Sequence, residues 1–446
     1  MHNLFNYVTA KCPLRILLLL LGITLLLNQP VIAQAKKAAN SDGDISTEVV
    51  VHDGDAIFND EASFTFYVKN KSNADQSGTV SYVVLTEKGE KVADKSVDVN
   101  ISGNSDRDFD FRVPKLKSGF YKINFMINVS DYDDTTHKAF GIRPKEIHSE
   151  YGRPTDFDQF WQKTKDDLAK VKPNFKVIPV PKKNTEDRNV FQIEMQSLDN
   201  YTIRGWMTMP KTKNPNRKFA VLLGLPGYQV DLDPIVGSDP DLAIITLNTR
   251  GQGTSRGPID TRRDEFITYR IEDRDRYVMR GVIMDCVRAI DFIYSQPNLI
   301  HDNIMVSGGS MGGYLALAVA GLDKRVNLCS AQNPIMCDIR GMVGEVDWPI
   351  TALKRYVGTQ PGLTMDKVLS TLDYYDGRNF AQDIACPSLM GIGLLDPFAP
   401  PNNEFATYNL IPGKKRIMVF KNLTHEISEK YKELEGRWMR DTFALF

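Results

Sequence analysis

Beyond residue 218 the chain alternates short, continuously apolar runs with longer segments of helical periodicity. Runs such as FAVLLGL, LAIITLN and NIMVSGG lack the regular polar positions that a half-exposed strand would show. Strands of this composition are buried on both faces, which requires helices above and below a parallel sheet. The sequence therefore predicts an α/β fold whose functional residues collect at the carboxyl ends of the strands.

The amino-terminal segment is typical of a secretory signal. Lys11 and Arg15 precede and begin a leucine-rich run, and small residues follow at Val31-Ile32-Ala33. A membrane anchor is the alternative, but the apolar run is shorter than the roughly 20 residues that span a bilayer. We therefore expect residues 1–33 to be a cleaved signal peptide, the protein to be secreted or periplasmic, and no stable membrane insertion after cleavage.

Two domains are expected after the signal. Residues 45–142 consist of short alternating stretches such as ASFTFYVKN separated by turn residues, which predicts an immunoglobulin-like β-sandwich. Its role is either structural or to hold the next domain against a partner or glycan, and the sequence does not decide between these. Residues 150–446 carry the α/β pattern and form the predicted catalytic domain.

Charge and cysteine content exclude some classes of function. The 55 Lys and Arg residues nearly balance the 56 Asp and Glu residues, so the net charge of −1 gives no reason to expect a nucleic-acid partner. The four cysteines after the signal lack the CxxC spacing of metal sites, and no metal or organic cofactor is predicted. Free buried thiols are the favoured interpretation, although a disulfide such as Cys329–Cys337 stays open; the four are Cys286, Cys329, Cys337 and Cys386.

The segment GGSMGG, residues 308–313, lies between a predicted buried strand and a helix of small apolar residues. It fits the G-x-S-x-G pattern of a serine nucleophile held on a sharp strand-to-helix turn. A tight turn that merely contains serine is the alternative, but the strand before it and the helix after it favour the catalytic interpretation. Ser310 is therefore the candidate nucleophile, with an oxyanion stabilised at the helix amino end.

A serine nucleophile of this fold needs an acid and a base later in the chain, in that order. Of six histidines, only His425 follows a predicted strand near the carboxyl end. Asp396 closes the apolar strand SLMGIGLLD, whereas Asp373 and Asp376 fall in helical or loop stretches and are interpreted as solvated or capping groups. His425 is thus the candidate base and Asp396 the acid that orients it.

Two backbone N–H groups are required to stabilise an oxyanion. Met311 follows the nucleophile and supplies the first. The loop in LLGLPGYQVD, after an earlier strand, offers the second at Gly227-Tyr228, although an ordinary Pro-Gly turn is an equally good interpretation of that loop.

These motifs together resemble one known family. The segment RGQG at Arg250, the GGSMGG turn, the strand end GIGLLDPFAPPNNEFATYN and the pair His425-Glu426 are similar to the acetyl xylan esterase and cephalosporin-C deacetylase family, the seventh carbohydrate esterase family. The likeness covers roughly residues 150 to 446 and leaves the β-domain outside.

The resemblance implies an α/β-hydrolase that removes acetyl groups from xylo-oligosaccharides, other small acetylated sugars or cephalosporin C, without a cofactor. It implies Ser310, Asp396 and His425 as the catalytic residues and the N–H groups of Tyr228 and Met311 as the oxyanion hole. Arg250 and Gln252 of RGQG are implied to be structural and to lie near the site. Family members form hexameric rings, but an exported chain with an extra β-domain need not, so a homo-oligomer is left open.

The chain departs from the family pattern at three places. Pro226 precedes Gly227-Tyr228 where the family has histidine, and Met311 replaces glutamine after the nucleophile. The segment between Gly227 and Arg250 is shorter than in the family, which concerns the wall of the acyl pocket and the choice of substrate.

Two other functions are alternatives. A prolyl-oligopeptidase-like serine peptidase shares the serine turn and an amino-terminal β-domain, but residues 45–142 are too few for a propeller and show no blade repeat. A glycan-binding protein with an inactive hydrolase domain is the second, against which the intact set of Ser310, Asp396 and His425 argues.

Overall fold

A computed structural model describes residues 44–237, 239–263 and 265–445. The predicted signal peptide, residues 1–33, lies outside the described residues. Within the described ranges no helix is long and apolar enough to cross a bilayer.

The first part of the described chain is a β-sandwich of two sheets. One sheet has the order β1-β3-β6 and the other the order β2-β8-β7-β4-β5, and neighbouring strands are antiparallel except for β2 and β8. The strands are β1 Ile45–Val51, β2 Ile57–Phe58, β3 Ala62–Asn70, β4 Gln76–Thr86, β5 Lys91–Ile101, β6 Ser105–Val113, β7 Gly119–Val129 and β8 Tyr132–Ile142.

The sandwich core consists of side chains at alternate positions of its strands, as two faces of a pleated sheet require. The rings of Phe64 and Phe125, from opposite sheets, lie 5.2 Å apart between centroids. The same apolar cluster extends into the second part of the chain. There Phe405 contacts Phe120 of the sandwich, with ring centroids 5.1 Å apart. Asn402 joins the two parts by accepting a hydrogen bond from the N–H of Phe120 at 2.8 Å.

The second part is built on one sheet with the strand order β17-β16-β15-β14-β12-β13-β11-β10-β9. Strands β12 to β17 are parallel. The strands are β9 Lys176–Pro179, β10 Arg188–Gln196, β11 Thr202–Pro210, β12 Phe219–Gly224, β13 Leu242–Asn248, β14 Leu299–Gly309, β15 Leu328–Gln332, β16 Ser388–Gly393 and β17 Lys415–Phe420.

Helices cover the sheet. One face carries the main apolar core, and the other is covered in part by the last helix, from which Met439 and Phe443 contact the apolar side chains of β12, β13 and β14. The helices are α1 Phe157–Ala169, α2 Val278–Ser295, α3 Met311–Leu322, α4 Ile350–Thr359, α5 Met365–Leu372, α6 Gly377–Ala381, α7 Pro401–Leu410 and α8 Glu429–Phe443. Single 3-10 turns occur at Pro144–Glu146, Pro181–Lys183, Leu198–Asn200, Gly253–Ser255 and Phe266–Thr268.

The sheet is mixed, whereas the apolar runs predicted a parallel one. β11 is antiparallel to β13, and β10 and β9 extend that edge in antiparallel register. The burial pattern accounts for the two outer strands: β10 alternates buried with less buried residues and β9 is exposed throughout, so neither shows the continuous apolar run of a central parallel strand. β11 is buried over most of its length, and its pattern does not mark its antiparallel direction.

The connection between β12 and β13 contains no helix among its described residues, 225–237 and 239–241. Its sequence accounts for this, because it holds three prolines, Pro226, Pro234 and Pro240. A proline inside a helix removes a hydrogen bond and clashes with the preceding turn. The face of the sheet beside α8 is therefore covered by an irregular loop at the position where a crossover helix would lie.

Candidate active site

Ser310 lies at the sharp turn between β14 and α3. Its backbone is at φ 58° and ψ −123°, a region that L-residues rarely adopt. The flanking glycines are required by close approach: a β carbon at Gly308 would lie 2.5 Å from the carbonyl carbon of Gly312, and one at Gly312 would lie 2.4 Å from the carbonyl oxygen of Leu225. The turn therefore projects the serine side chain above the carboxyl edge of the sheet.

The three residues selected from the sequence as nucleophile, acid and base lie together. His425 Nε2 is 2.8 Å from Ser310 Oγ, and His425 Nδ1 is 2.6 Å from Asp396 Oδ2. The Asp396 side chain is fully buried, while 21% of the His425 side chain is exposed. With a proton on Nδ1, the imidazole donates to the carboxylate and accepts from the serine hydroxyl.

Backbone hydrogen bonds fix the acid and the histidine loop. Asp396 Oδ1 accepts from the N–H groups of Phe398 at 2.8 Å and Ala399 at 2.9 Å, which leaves Oδ2 directed at the imidazole. The carbonyl oxygen of Glu426 accepts from the side-chain amides of Gln332 at 3.3 Å and Asn333 at 3.2 Å. These bonds hold the loop over the carboxyl end of β15, next to the serine turn.

The loop that carries Tyr228 lies against the first turn of α3, as the approach of Leu225 to Gly312 shows. Met311 is the first residue of α3, so its N–H has no acceptor within the helix. The side chain of Tyr228 is fixed at its hydroxyl, which donates a hydrogen bond to Glu265 at 2.8 Å. Burial, together with the adjacent Glu265 carboxylate, raises the pKa of the Tyr228 phenol, which therefore stays protonated.

Gln252 of the RGQG segment fixes the residue after Tyr228. Its Oε1 accepts from the backbone N–H of Gln229 at 2.7 Å. Gln229 has a left-handed φ of 58°, and its own side chain donates to the carbonyl oxygen of Thr261 at 2.8 Å. Gln252 is fully buried and therefore acts on this loop rather than on a bound molecule.

Arg250 lies beneath the site in a buried ion pair. Its guanidinium donates to both oxygens of Asp285, at 3.0 Å from Nε and 2.7 Å from Nη2, and its backbone N–H donates to the same carboxylate at 2.9 Å. Nη2 also donates to the carbonyl oxygen of Leu198 at 3.1 Å. Both side chains are buried, and the pair joins the segment after β13 to α2.

Three aromatic residues form a wall beside the histidine, which we call the aromatic wall: Tyr228, Trp348 and Phe398. Their rings are 5.2 Å apart between Tyr228 and Trp348 and 6.2 Å apart between Trp348 and Phe398. Phe398 also contacts the ring of His425 edge-to-face at 5.2 Å and is 37% exposed. The wall presents an open apolar face next to the imidazole.

Sequence reasoning did not identify several residues that support this site. Trp348 and Glu265 reach it from loops with no motif of their own, so no local signal marks them. Asp376, interpreted as a solvated or capping group, does cap α6 by accepting from the N–H of Arg378 at 3.0 Å, but it is buried. The four cysteines are free and buried. In the described part of the chain no cluster of three or more His, Cys, Asp or Glu side chains is arranged to hold a metal ion.

Comparison with known proteins identifies relatives of this chain. The family profile described as acetyl xylan esterase matches residues 143–442. Acetyl esterase Axe7A of Xylanibacter ruminicola is 29% identical over 317 residues, which cover 68% of this chain and 71% of that protein.

Solved structures show the same fold. The acetyl xylan esterase from Paenibacillus sp. R4 aligns with a TM-score of 0.61 and 28% identity over 67% of this chain and 98% of that one. Acetyl xylan esterase 1 from Thermoanaerobacterium sp. aligns with a TM-score of 0.60 and 23% identity over 68% and 98% of the two chains. The predicted α/β-hydrolase fold, preceded by a β-rich domain, is confirmed.

Proposed function

We propose, from the premise that this chain belongs to the acetyl xylan esterase family, that Ser310, Asp396 and His425 hydrolyse acetyl esters of sugar hydroxyls. The family identifies the chain as a carboxylic-ester hydrolase. The observation that carries the assignment of residues is the position of His425, which lies 2.8 Å from Ser310 Oγ and 2.6 Å from Asp396 Oδ2.

The first half of the reaction forms an acetyl-enzyme. His425 Nε2 takes the hydroxyl proton as Ser310 Oγ attacks the carbonyl carbon of the ester. The resulting imidazolium is stabilised by the Asp396 carboxylate, which stays ionised. The oxyanion accepts hydrogen bonds from the backbone N–H groups of Tyr228 and Met311. When the intermediate collapses, the C–O bond to the sugar breaks and His425 returns its proton to the leaving alkoxide.

The second half removes the acetyl group. A water molecule gives its proton to His425 and attacks the acetyl carbonyl, with the oxyanion held by the same two N–H groups. Collapse breaks the bond to Ser310 Oγ, which recovers its proton from His425 and releases acetic acid. Atoms and charge balance without a metal or an organic cofactor.

A sugar alcohol is supported by the relatives, which are an acetyl esterase and two acetyl xylan esterases. The aromatic wall adds a physical reason. The leaving oxygen receives its proton from His425, so the alcohol lies beside that ring, where Phe398 presents its exposed face. The apolar face of a pyranose ring packs well on such a surface. We therefore place acetylated xylo-oligosaccharides first among substrates and cephalosporin C second.

The two alternative functions, a serine peptidase and an inactive glycan-binding protein, are less well supported. The family match covers residues 143–442 and is to esterases rather than peptidases. An inactive glycan-binding domain does not account for a histidine placed within hydrogen-bond distance of both serine and aspartate.

Export and assembly stay proposals. We propose that residues 1–33 direct secretion to the periplasm or the outside of the cell, and that the mature chain begins after Ala33. Amino-terminal sequencing of the protein recovered outside the cytoplasm tests this, and an unprocessed amino terminus contradicts it. Oligomeric state is tested by light scattering of the mature protein.

The decisive assay measures acetate release from acetylated xylo-oligosaccharides, with 4-nitrophenyl acetate and cephalosporin C in parallel. We expect release from the sugar ester and from 4-nitrophenyl acetate by the wild type. Ser310→Ala is expected to lose about 10³-fold or more of kcat. Hydrolysis of 4-nitrophenyl acetate alone would retain the serine mechanism and reject the sugar substrate. Comparable activity in Ser310→Ala would reject the mechanism itself.

A further inference from the structure

The connection between β12 and β13, which forms no helix among its described residues 225–237 and 239–241, borders a chamber inside the site. A cavity of about 590 Å³ contacts Ser310 and His425 and continues along the sheet between β12, β14 and α8. The irregular loop 225–237 forms part of its wall through Val230 and Leu232. We call this cavity the inner chamber.

The lining of the inner chamber is mainly apolar along its walls. Aliphatic side chains come from β12, from the following loop and from the segment after the histidine, and they are Leu222, Leu225, Val230, Leu232 and Ile427. Its α8 side carries charged groups that are paired with neighbours: Lys432 donates to Glu429 at 2.7 Å, Ser307 donates to Glu435, and burial raises the pKa of the Glu435 carboxyl. The part of the chamber between these aliphatic side chains therefore offers an apolar environment to a group that extends from Ser310.

An ester has an acyl arm and an alcohol arm. Ser310 lies between two surfaces of different chemistry, the aromatic wall and the inner chamber. The aromatic wall is open to solvent beside His425, through the exposed Phe398. The inner chamber has aliphatic walls and runs between the sheet and α8. A sugar ring carries hydroxyl groups that would lose their hydrogen bonds to water in such a chamber, at a cost of about 1–3 kcal/mol each. The alcohol arm therefore belongs at the aromatic wall and the acyl arm in the chamber.

The size of the inner chamber exceeds the need of an acetyl group. Cavities of roughly 300–1,000 Å³ ordinarily hold ligands of drug size, and each buried methylene contributes about 0.8 kcal/mol of favourable transfer free energy. Resting on the proposed serine-esterase function, we propose that the inner chamber is an acyl site that admits medium-length saturated acyl groups, such as hexanoyl and octanoyl, in addition to acetyl.

The first test compares 4-nitrophenyl acetate, butyrate, hexanoate and octanoate with the full mature protein. We expect kcat/KM for hexanoate and octanoate to stay within about tenfold of the acetate value. A closed acetyl pocket rejects added methylenes by factors of about 10–200. A fall of a hundredfold or more between acetate and hexanoate would therefore overturn the proposal.

Variants locate the effect in the chamber. Leu232→Trp fills the chamber from the loop wall, and Val230→Phe does so from a partly exposed position that tolerates a larger ring. Val236→Phe is the matched control, because it enlarges a partly exposed side chain of the same loop that does not line the chamber. Circular dichroism confirms that each variant is folded.

We expect at least a tenfold loss of octanoate hydrolysis in Leu232→Trp or Val230→Phe, with acetate hydrolysis within about threefold of wild type and Val236→Phe unchanged. Equal loss on both esters, or no loss on either, in a folded chamber variant would overturn the assignment. The proposed mechanism fails separately, if Ser310→Ala still hydrolyses acetate, so the two outcomes are distinguishable.

Discussion

The carboxylate of Asp396 contacts the imidazole of His425 through one oxygen, while its other oxygen is bound by two backbone N–H groups. Oδ2 lies 2.6 Å from His425 Nδ1, and Oδ1 accepts from Phe398 and Ala399. One side chain thus orients the proposed base and also fixes the backbone that carries the exposed ring of Phe398. In the proposed mechanism, catalysis and binding of the alcohol arm are therefore coupled through this carboxylate.

Asp396→Asn tests the first of these roles. The amide keeps the shape of the side chain but cannot stabilise an imidazolium, and it favours the wrong tautomer of His425. We expect kcat for 4-nitrophenyl acetate to fall by about 10³- to 10⁴-fold with an unchanged fold. Asp366→Asn, at an 87% exposed side chain, is the control and should keep full activity. A loss below tenfold in Asp396→Asn would refute the role.

Phe398→Ala tests the aromatic wall. Removing the ring takes away the apolar face beside His425 but none of the proposed reacting groups. We expect KM for acetylated xylo-oligosaccharides to rise by about tenfold, equivalent to about 1.4 kcal/mol. Activity on 4-nitrophenyl acetate should change less than threefold. Steady-state kinetics on both substrates decide, and an equal change on both would show that the ring does not bind the sugar.

Gln252→Leu tests the support of the loop that carries Tyr228. The variant leaves the N–H of Gln229 without its buried acceptor, so we expect the adjacent N–H of Tyr228, the proposed oxyanion donor, to shift. A displacement of this kind costs up to about 100-fold in rate. We expect a 10- to 100-fold lower kcat with KM changed less than threefold. Gln229→Ala, which removes only the bond to Thr261, serves as comparison and should lose less.

Gly281→Ala tests the buried ion pair beneath the site. Alanine normally stabilises a helix interior relative to glycine by about 1 kcal/mol. At this position of α2 a β carbon would lie 2.1 Å from Arg250 Nη1, so the guanidinium must move off Asp285. We expect the free energy of unfolding to fall by about 3 kcal/mol, as when a buried pair is broken.

Gly358→Ala is the matched control for that measurement, because it lies in α4 with no atom within 4 Å of the new methyl group. Urea denaturation should show a small stabilisation there. A similar stabilisation in Gly281→Ala would show that Arg250 does not depend on the space at that glycine.

Glu87→Gln tests the junction between the sandwich and α7. Burial, with the neighbouring Glu345 carboxylate, raises the pKa of Glu87 from 4.5 to about 8, and Asn402 Nδ2 donates to it at 2.6 Å. The folded state therefore holds this proton more tightly than the unfolded state does. Its contribution to stability is complete below about pH 4.5 and is lost as pH rises towards 8.

The substitution removes that titration. We expect Glu87→Gln to flatten the decline of the free energy of unfolding between pH 4.5 and pH 8 relative to the wild type. Denaturation at a series of pH values measures both. Identical slopes in wild type and Glu87→Gln would contradict the prediction.

Much of the architecture could be predicted because it follows from local patterns of apolar and polar residues in the sequence. Continuous apolar runs indicated the central parallel strands, and strict alternation indicated the sandwich. The glycines around Ser310 could be interpreted locally as well, since close backbone approach on both sides of one residue excludes side chains whatever lies beyond. The order of Ser310, Asp396 and His425 after their strands was sufficient to select them, because parallel strands end at one edge of the sheet.

The tertiary structure alone decided what surrounds those residues. Glu265 on Tyr228, Gln252 on Gln229 and the ring of Phe398 beside His425 are contacts between side chains whose positions follow from packing of whole elements. The antiparallel edge β9 to β11 and the inner chamber likewise depend on how whole elements pack. Prolines could predict that the loop after β12 is not helical, but whether neighbouring atoms fill the resulting space depends on where α8 lies. Local sequence determines which conformations a segment can adopt, and only the packed chain determines which distant atoms meet there.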